Sequence, residues 1–333
     1  MWLLVALVTL WSAAALYFDF PFERLRVPTA ILYLLLAACA LSFLKPHARG
    51  ALACGALFLV VLVWWLTIKP SNDRNWYPDV AETAWAGIDG DRVALHNFRN
   101  CEYRSQTDYS CRWETKTLEL SKLRGVDVSF VDWGLPYIAH AIVSFEFGDN
   151  DYVAVSIETR KEIDQHYSAV RGFFRTYALI YLFSDERDVL RLRTNYRHNE
   201  EVYLYRTTAT PEWSRALFLQ YLARANELHG AAEWYNALTD NCTTNIFTEM
   251  ARTGHLPRGS SRLDPRILFS GLADKMLYNG GNFAGGSREG GLPFEELKKR
   301  AHINAAARAA SYADFSREIR AGRPGFEFLS PER

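Results

Sequence analysis

Three apolar stretches fill the first 68 residues and constrain the fold of this chain more than any other feature. They run from Met1 to Phe18, from Val27 to Leu44 and from Ala51 to Ile68, and none contains a charged residue. Each has about 18 residues, which is near the shortest length that crosses a hydrocarbon core of about 30 Å. The first stretch lacks the basic beginning and the small-residue cleavage site of a signal peptide, and two more stretches follow it. We therefore predict three transmembrane helices, and disfavour the alternative of a buried helical core in a soluble protein.

The short loops between these stretches predict the orientation of the chain. Lys45, His47 and Arg49 lie around the second loop, whereas the charges around the first loop nearly balance. The positive-inside rule places the second loop in the cytoplasm. An odd number of spans then places residues 69–333 outside the cytoplasm.

Two cysteines in the extracytoplasmic part favour an oxidising compartment. Cys101 and Cys111 flank a polar segment whose spacing suits a hairpin closed by a disulfide. Such a bridge persists only where thiols are not kept reduced. Zinc binding is the competing explanation for paired cysteines, but the sequence has no CxxC or HExxH spacing. We therefore expect a disulfide, and neither a metal nor another cofactor.

The residues beyond the apolar stretches predict one α+β domain. We expect residues 1–68 to be the membrane region, residues 69–89 a linker, and residues 90–333 a domain with a helical extension at its C-terminus. Strand signals dominate its first half and helical signals its second half, so a sheet should pack against helices. The predicted strands cover residues 93–99, 113–120, 126–131, 139–147, 152–159, 175–183 and 202–207. The predicted helices cover residues 211–228, 242 to just before Gly254, 264–277, 293–310 and 312–321.

The charge balance disfavours nucleic acid as a partner. The chain has 38 Lys and Arg residues against 38 Asp and Glu residues, and the basic residues are dispersed. Binding to a nucleic acid requires a basic patch or stripe.

One cysteine stands where a helix is predicted to begin. In the segment 240–244, with the sequence DNCTT, Asn241 can cap a helix, and apolar residues recur at helical spacing after it. A helix N-terminus favours a thiolate and can stabilise an oxyanion on an attacked carbonyl. We therefore predict Cys242 as a nucleophile, with Asn241, Thr243 and Thr244 as its oxyanion donors or local support. A small buried hydrophobic residue is the alternative for a lone cysteine.

A thiol nucleophile needs a base, and His140 is the histidine that the sequence places on a rigid element. It opens an alternating strand after the turn-like segment 133–136. If residues 148–150 form a three-residue hairpin loop, His140 pairs with Glu158, which completes a Cys–His–Glu arrangement. A four-residue loop would place a neighbouring residue there instead. A solvated carboxylate, or a salt bridge to Arg160, is the alternative for Glu158.

These residues resemble known families. A histidine on an early strand and Asn-Cys-Thr-Thr at a later helix start are similar to the circularly permuted papain-like fold of the NlpC and lecithin:retinol acyltransferase superfamily. More closely, the segments 155–162 (VSIETRKE), 184–188 (SDERD) and 238–244 (LTDNCTT) resemble the Lnb N-terminal periplasmic domain family of bacteria. The resemblance extends over residues 90 to 325.

The resemblance implies a cysteine enzyme on the periplasmic side of the bacterial inner membrane. In the chemistry of this family, the cysteine matching Cys242 accepts an acyl chain from a membrane phospholipid as a thioester. The histidine matching His140 acts as general base, and the α-amine of a lipoprotein then takes the chain. In this sequence the apolar helices precede the domain and nothing membrane-like follows it, so we expect the acceptor-binding part to be missing. The acceptor, a lipoprotein or a peptidoglycan-derived amine, therefore stays open.

Three functions follow, of which the acyltransferase is favoured. The second is a papain-like hydrolase, a peptidase, amidase or lipid esterase, that uses Cys242 and His140 with water as the acceptor. The third is an envelope protein that kept the fold for binding and has no activity. Aromatic residues near the membrane exit and the two motifs favour the enzymes, because such rings suit the headgroup level or an acyl groove. They are Trp76, Tyr77, Trp85, Trp133, Tyr137, Trp234 and Tyr235.

Overall fold

Three long apolar helices open the structure, as predicted. The computed structural model describes residues 1–148, 150–254, 256–260, 264–267, 269–286 and 290–327. In this described part, three helices are long and apolar enough to span a membrane: α1 (Trp2–Asp19), α2 (Glu23–Phe43) and α3 (His47–Thr67). Gly50 allows α2 and α3 to pack closely, since a Cβ atom there would lie 2.7 Å from the Ala40 carbonyl oxygen.

A mixed β-sheet forms the centre of the domain that follows. Within the described residues its strands are β1 (Trp85–Asp89), β2 (Arg92–Tyr103), β3 (Tyr109–Glu119), β4 (Gly125–Asp132), β5 (Ala139–Gly148), β6 (Asp151–Arg160), β7 (Ala178–Ser184) and β8 (Glu201–Arg206). Their order is β1-β2-β7-β6-β5-β4-β8, and β3 pairs with β2. Only β2 and β7 run parallel among these pairs. Strand β1 lies in the segment that the sequence assigns to a linker.

The predicted disulfide closes the hairpin of β2 and β3. Cys101 lies directly opposite Cys111 in the antiparallel register, and the two sulfur atoms are bonded. Cys242 is therefore left as a free thiol.

Helices cover both faces of the sheet, which confirms the α+β fold. Helices α5 (Pro211–Gly230), α6 (Cys242–Arg252), α7 (Ala273–Asn279) and α8 (Phe294–Ala301) contribute to the core on one face. Helices α4 (Glu186–Arg191), α9 (Asn304–Ala309) and α10 (Phe315–Glu318) lie on the other face or at its edge. Alternation along β5 supplies both cores, because Val143 and Phe145 face the first layer and Ile142 faces the second.

The C-terminal helices are shorter than the sequence predicts. The helix expected over residues 293–310 divides at His302 and Ile303, because the Ile303 N–H donates to the Val202 carbonyl oxygen at 2.9 Å. The Ile303 N–H, which a continuous helix would use within the helix, thus bonds to the edge strand β8. The expected helix over residues 312–321 is reduced to α10. The expected helix over residues 264–277 contains separate 3₁₀ turns before α7, and residue 268 lies outside the described residues.

The acidic segment 184–188 holds the layers together through buried ion pairs. Arg320 donates to both Glu186 oxygens at 2.7 Å. Arg99 donates to the two Asp188 oxygens at 2.8 and 2.9 Å. All four side chains are buried, so the motif is a structural feature of this domain.

The ends of α1 and α3 contact one end of the sheet and hold it close to the membrane. Phe174, shortly before β7, is buried among side chains of the three membrane helices. The Arg175 guanidinium donates to the Leu66 carbonyl oxygen at 3.2 Å. The Trp234 indole N–H donates to the Ile68 carbonyl oxygen at 3.1 Å. The end of the sheet at which β6 ends and β7 begins therefore faces the membrane.

Candidate active site

Cys242 is the first residue of α6. The Asn241 side-chain oxygen accepts the Thr244 N–H at 2.9 Å, and the Thr244 hydroxyl accepts the Asn241 N–H at 2.9 Å. This capping box fixes the start of the helix. Asn241 and Thr244 thus support the backbone at the thiol, whereas the Thr243 hydroxyl lies 3.8 Å from the Cys242 sulfur.

His140 and Cys242, which are far apart in the sequence, meet in the structure. His140 lies at the start of β5, close enough to the thiol for the imidazole and the thiol to shift each other's pKa. The backbone N–H of Ala141 is also close enough to lower the pKa of the thiol. Only 7% of His140 and 9% of Cys242 are exposed. The imidazole of His140 and the thiol of Cys242 are therefore both largely shielded from water.

The register of β5 and β6 brings Glu158 to the same face as His140. Ile142 pairs with Ser156, and continuing this register by two residues places His140 opposite Glu158. The expected loop of residues 148–150 is wrong in detail, because β5 extends to Gly148, which pairs with Asp151. A bulge between Glu146 and Gly148 takes up the extra residue, so the register beyond it is the one that the sequence predicts.

Ser156 connects His140 to Glu158. The Ser156 hydroxyl donates to Glu158 Oε1 at 2.6 Å and lies 2.7 Å from His140 Nε2. The direct distance from His140 Nε2 to Glu158 Oε1 is 3.6 Å, which is an ion-pair contact. Because the Ser156 proton goes to the carboxylate, its oxygen accepts from Nε2–H. This assigns the proton of neutral His140 to Nε2 and leaves Nδ1 as the basic nitrogen towards Cys242.

Arg193 and Glu200 complete the polar network. Arg193 donates to Glu158 Oε1 at 3.1 Å and to Glu200 Oε1 at 3.3 Å. Glu200 also accepts the Trp133 indole N–H at 2.9 Å. The Trp133 ring lies nearly parallel to the His140 ring, with centroids 6.5 Å apart. Arg193 lies in a single π-helical turn, Leu192–Tyr196, a feature frequent at functional sites.

The Cys242 thiol is acidic for a cysteine. Burial alone would raise the pKa of Cys242, because a thiolate is poorly solvated there. The hydrogen bond and charge of His140, followed by the Ala141 N–H, outweigh burial and lower the pKa of Cys242 to about 7. Much of the cysteine is therefore thiolate at neutral pH.

The pKa values of His140 and Glu158 are also shifted, each in the direction that favours its charged form. Burial disfavours the imidazolium, yet the nearby Cys242 thiol and Glu158 carboxylate raise the pKa of His140 above its ordinary value. Burial likewise disfavours the Glu158 carboxylate, but His140 and the Arg193 guanidinium hold the pKa of Glu158 well below its ordinary range. Glu158 is thus an anion that favours the protonated imidazole.

A largely apolar cavity of about 770 Å³ lies near the site, although neither Cys242 nor His140 is among the residues that line it. It reaches Thr243 and Ala141, the chain neighbours of Cys242 and His140, and continues along α6 to Met250. Val143 and Phe283 are among its walls. Its volume lies within the range of about 300–1,000 Å³ that is usual for small-molecule sites. Among the residues that the structure describes, no group of three or more His, Cys, Asp or Glu side chains is placed to hold a metal ion.

One family model matches the part of the chain that contains this site. Residues 109–269, which include Cys242, His140 and Glu158, match the family model of the Lnb N-terminal periplasmic domain. This matched part, just under half of the chain, is similar to an Lnb N-terminal periplasmic domain. No curated protein and no solved structure matches the chain. The three membrane helices and this Lnb-type domain make the protein an inner-membrane protein whose folded domain is periplasmic.

The match is narrower than the resemblance seen in the sequence. It begins within β3, so β1 and β2, with Cys101, precede the matched part of the Lnb-type domain. All the polar residues of the site lie inside it. The placement within the permuted papain-like superfamily stays a prediction.

Sequence reasoning missed three residues of the site in the Lnb-type domain. Ser156 had a signal, since it lies two residues before Glu158 on the same strand and so shares its face. Arg193 and Glu200 had none, because they reach the site from the π-helical turn and from the residue before β8. Trp133 was among the aromatic residues noted in the sequence, but its contact with Glu200 was not predicted.

Proposed function

We propose that this protein is a membrane-anchored acyltransferase that carries an acyl chain on Cys242. The donor is a phospholipid of the membrane that α1, α2 and α3 span, and the acceptor is an amine of a lipoprotein or another envelope molecule. The observation that carries the proposal is the acidic Cys242 thiol paired with His140, at the membrane-facing side of an Lnb-type domain.

In the first step, the Cys242 thiolate attacks the ester carbonyl of the phospholipid. A carbon–sulfur bond forms and the ester carbon–oxygen bond breaks. The His140 imidazolium gives its proton to the departing alkoxide of the lysophospholipid, which leaves His140 neutral. The backbone N–H groups of Cys242 and Thr243, at the N-terminus of α6, are placed to stabilise the oxyanion.

In the second step, an amine attacks the thioester. A carbon–nitrogen bond forms, the carbon–sulfur bond breaks, and His140 Nδ1 takes a proton from the amine. This restores the thiolate and the imidazolium. The Ser156 hydroxyl and the Glu158 carboxylate orient the ring in both steps, and Glu158 stabilises its charged form.

The apolar cavity supports an acyl substrate. It begins at the neighbours of Cys242 and His140 and follows α6 for about 10 Å, the rise of seven helical residues. A hydrocarbon chain bound there would bury its surface while its carbonyl carbon remained at the sulfur. A polar peptide would leave its backbone groups unpaired along most of these walls.

The product that receives a labelled acyl chain tests the proposal. The full-length protein is placed in nanodiscs of phospholipid with a labelled acyl chain, together with a lipopeptide that has a free α-amine. We expect lysophospholipid and N-acylated lipopeptide from the parent protein, and neither from Cys242→Ala. Labelled free fatty acid in place of the amide would indicate a hydrolase. No release of lysophospholipid by a protein with a reactive Cys242 would contradict both activities.

A further inference from the structure

Four exposed apolar side chains lie together on the surface of the periplasmic domain. Tyr167, Val170 and Phe173 belong to the segment between β6 and β7, and Leu238 belongs to the segment before α6. Each is between 40% and 59% exposed. The Ala237 N–H donates to the Gly172 carbonyl oxygen at 2.8 Å, which places Leu238 next to Phe173. We call these four side chains the apolar patch.

The apolar patch lies at the level where the membrane helices end. Phe174, next to Phe173, has its ring centroid 5.0 Å from that of Phe18 in α1. The backbone N–H of Arg175 donates to the Asp19 carboxylate at 3.1 Å, and its guanidinium lies 4.2 Å from the centroid of the Trp65 ring. Phe173 directly precedes Phe174, and consecutive Cα atoms are about 3.8 Å apart. Phe173 therefore lies close to these helix ends.

The apolar patch is also continuous with the active site. The Asn241 side-chain amide donates to the Ala237 carbonyl oxygen at 2.9 Å, so the residue that caps α6 is tied to the segment that holds Leu238. The ring of Tyr167 is stacked on Tyr177, whose carbonyl oxygen accepts the Tyr235 N–H at 2.9 Å. One packed unit therefore links the patch to the start of α6.

We propose that the apolar patch inserts into the periplasmic leaflet of the membrane that the three helices span. The bilayer is the partner because the patch directly adjoins Phe174 and Arg175, which contact the ends of the membrane helices. Aromatic and aliphatic side chains at this level enter the boundary between headgroups and acyl chains, to a depth of about 5–10 Å. Arg171, in the same segment, is placed to meet lipid phosphates.

The insertion has a consequence for catalysis, which rests on the proposed function. The residues around the start of α6 would then lie against the leaflet, and a phospholipid ester could reach the sulfur without leaving the membrane. The segments 167–173 and 237–242 would form the path that the acyl donor follows.

Depth-dependent quenching tests the insertion without using activity. A fluorophore is attached at Val170→Cys in full-length protein with Cys39→Ala, Cys54→Ala and Cys242→Ser, reconstituted in phospholipid nanodiscs. The matched control is Ala313→Cys, an exposed residue whose carbonyl oxygen bonds to Asn150, at the end of β6 opposite the membrane.

We expect lipids with a nitroxide high on the acyl chain to quench the Val170 probe by about half, as for a probe 5–10 Å deep, and to leave the Ala313 probe unchanged. Equal quenching at the two positions, or none at Val170, would overturn the proposal.

A second pair of measurements separates insertion from catalysis. In the otherwise unchanged protein, Val170→Asp should reduce lysophospholipid release from nanodiscs several-fold and leave the alkylation rate of Cys242 by a water-soluble reagent unchanged. Equal release by Val170→Asp and the parent would contradict the path. If the parent releases no lysophospholipid while the Val170 probe is quenched, the proposed function fails and the membrane contact stands.

Discussion

His140 Nε2 lies 2.7 Å from the hydroxyl oxygen of Ser156, closer than it lies to any carboxylate oxygen of Glu158. The orientation of the base therefore depends on a hydroxyl that also donates to Glu158. In a direct histidine–carboxylate hydrogen bond, the carboxylate alone would orient the imidazole and supply the negative charge. Here the two tasks are divided: the Ser156 hydroxyl fixes the tautomer of His140, and the Glu158 carboxylate, held by Arg193, supplies the charge.

Ser156→Ala should lower the rate of thioester formation by about tenfold to a hundredfold, the effect of leaving a buried partner of this kind unpaired. The Nε2 proton of His140 would then have no acceptor at hydrogen-bond distance. The measurement is the initial rate with a phospholipid donor, together with the pH profile of Cys242 alkylation, which a purely structural role would not shift.

The control is Ser144→Ala. Ser144 is buried on the neighbouring strand β5, on the same face as His140, and within the described part of the chain its hydroxyl has no hydrogen-bond partner. The same loss of an oxygen should leave rate and profile near those of the parent. Equal losses in the two variants would remove Ser156 from the mechanism.

His140→Ala should move the pKa of Cys242 from about 7 to above the ordinary thiol value of about 8.5. Of the causes that remain, burial raises the pKa and is larger than the effect of either the Ala141 N–H or the Thr243 hydroxyl, which lower it, so we expect the shift to pass the ordinary value. At pH 7 the thiolate fraction falls by more than about tenfold. The rate of iodoacetamide reaction, followed from pH 5 to pH 10, reports this midpoint, and an unchanged midpoint would show that His140 does not support the thiolate.

Arg320→Met should destabilise the domain by about 3–5 kcal/mol, because it leaves Glu186 as an unpaired buried charge and Asp127 with Arg206 as its remaining partner. Arg317→Met is the control on the neighbouring helix. Arg317 pairs with Asp314 on the surface, where such pairs contribute about 0–1 kcal/mol. Chemical unfolding of the full-length protein in detergent, followed by near-ultraviolet circular dichroism, compares the two. Similar midpoints would contradict a structural role for the segment 184–188.

Met250→Trp should shift donor preference towards shorter acyl chains, because Met250 lines the far part of the cavity and a larger ring would fill it. Overpacking of this kind costs about 1–3 kcal/mol of stability, so folding must be checked. Thr248→Trp, on the exposed side of α6, is the control. Competition between long-chain and short-chain phospholipids, read by the mass of the adduct, gives the ratio. An unchanged ratio in Met250→Trp would place the acyl chain elsewhere.

The parts of this structure that follow local rules could be predicted from the sequence. The three spans follow from uninterrupted apolar runs, the start of α6 at Cys242 from the capping residue Asn241, and the pairing of Cys101 with Cys111 from their spacing. The approach of Glu158 to His140 followed from counting along a hairpin, and it survived an error in the loop because the bulge restored the register.

The parts that depend on distant contacts could not be predicted. Arg193 reaches Glu158 from a π-helical turn, and nothing local distinguishes it from other arginines of the chain. The helix expected over residues 293–310 has good helix formers throughout, yet β8 takes the backbone of Ile303 and divides it. Tertiary hydrogen bonding decides both cases, and one sequence does not display it.

Intact mass of the full-length protein after incubation in phospholipid nanodiscs tests most directly the claim that Cys242 carries an acyl chain. We expect the parent to gain the mass of one acyl group, and neutral hydroxylamine to remove it, as it removes a thioester. Cys242→Ala should gain nothing, and His140→Ala should gain the group far more slowly. A parent protein that stays at its unmodified mass, while its Cys242 reacts readily with iodoacetamide, would contradict the acyl-carrier role.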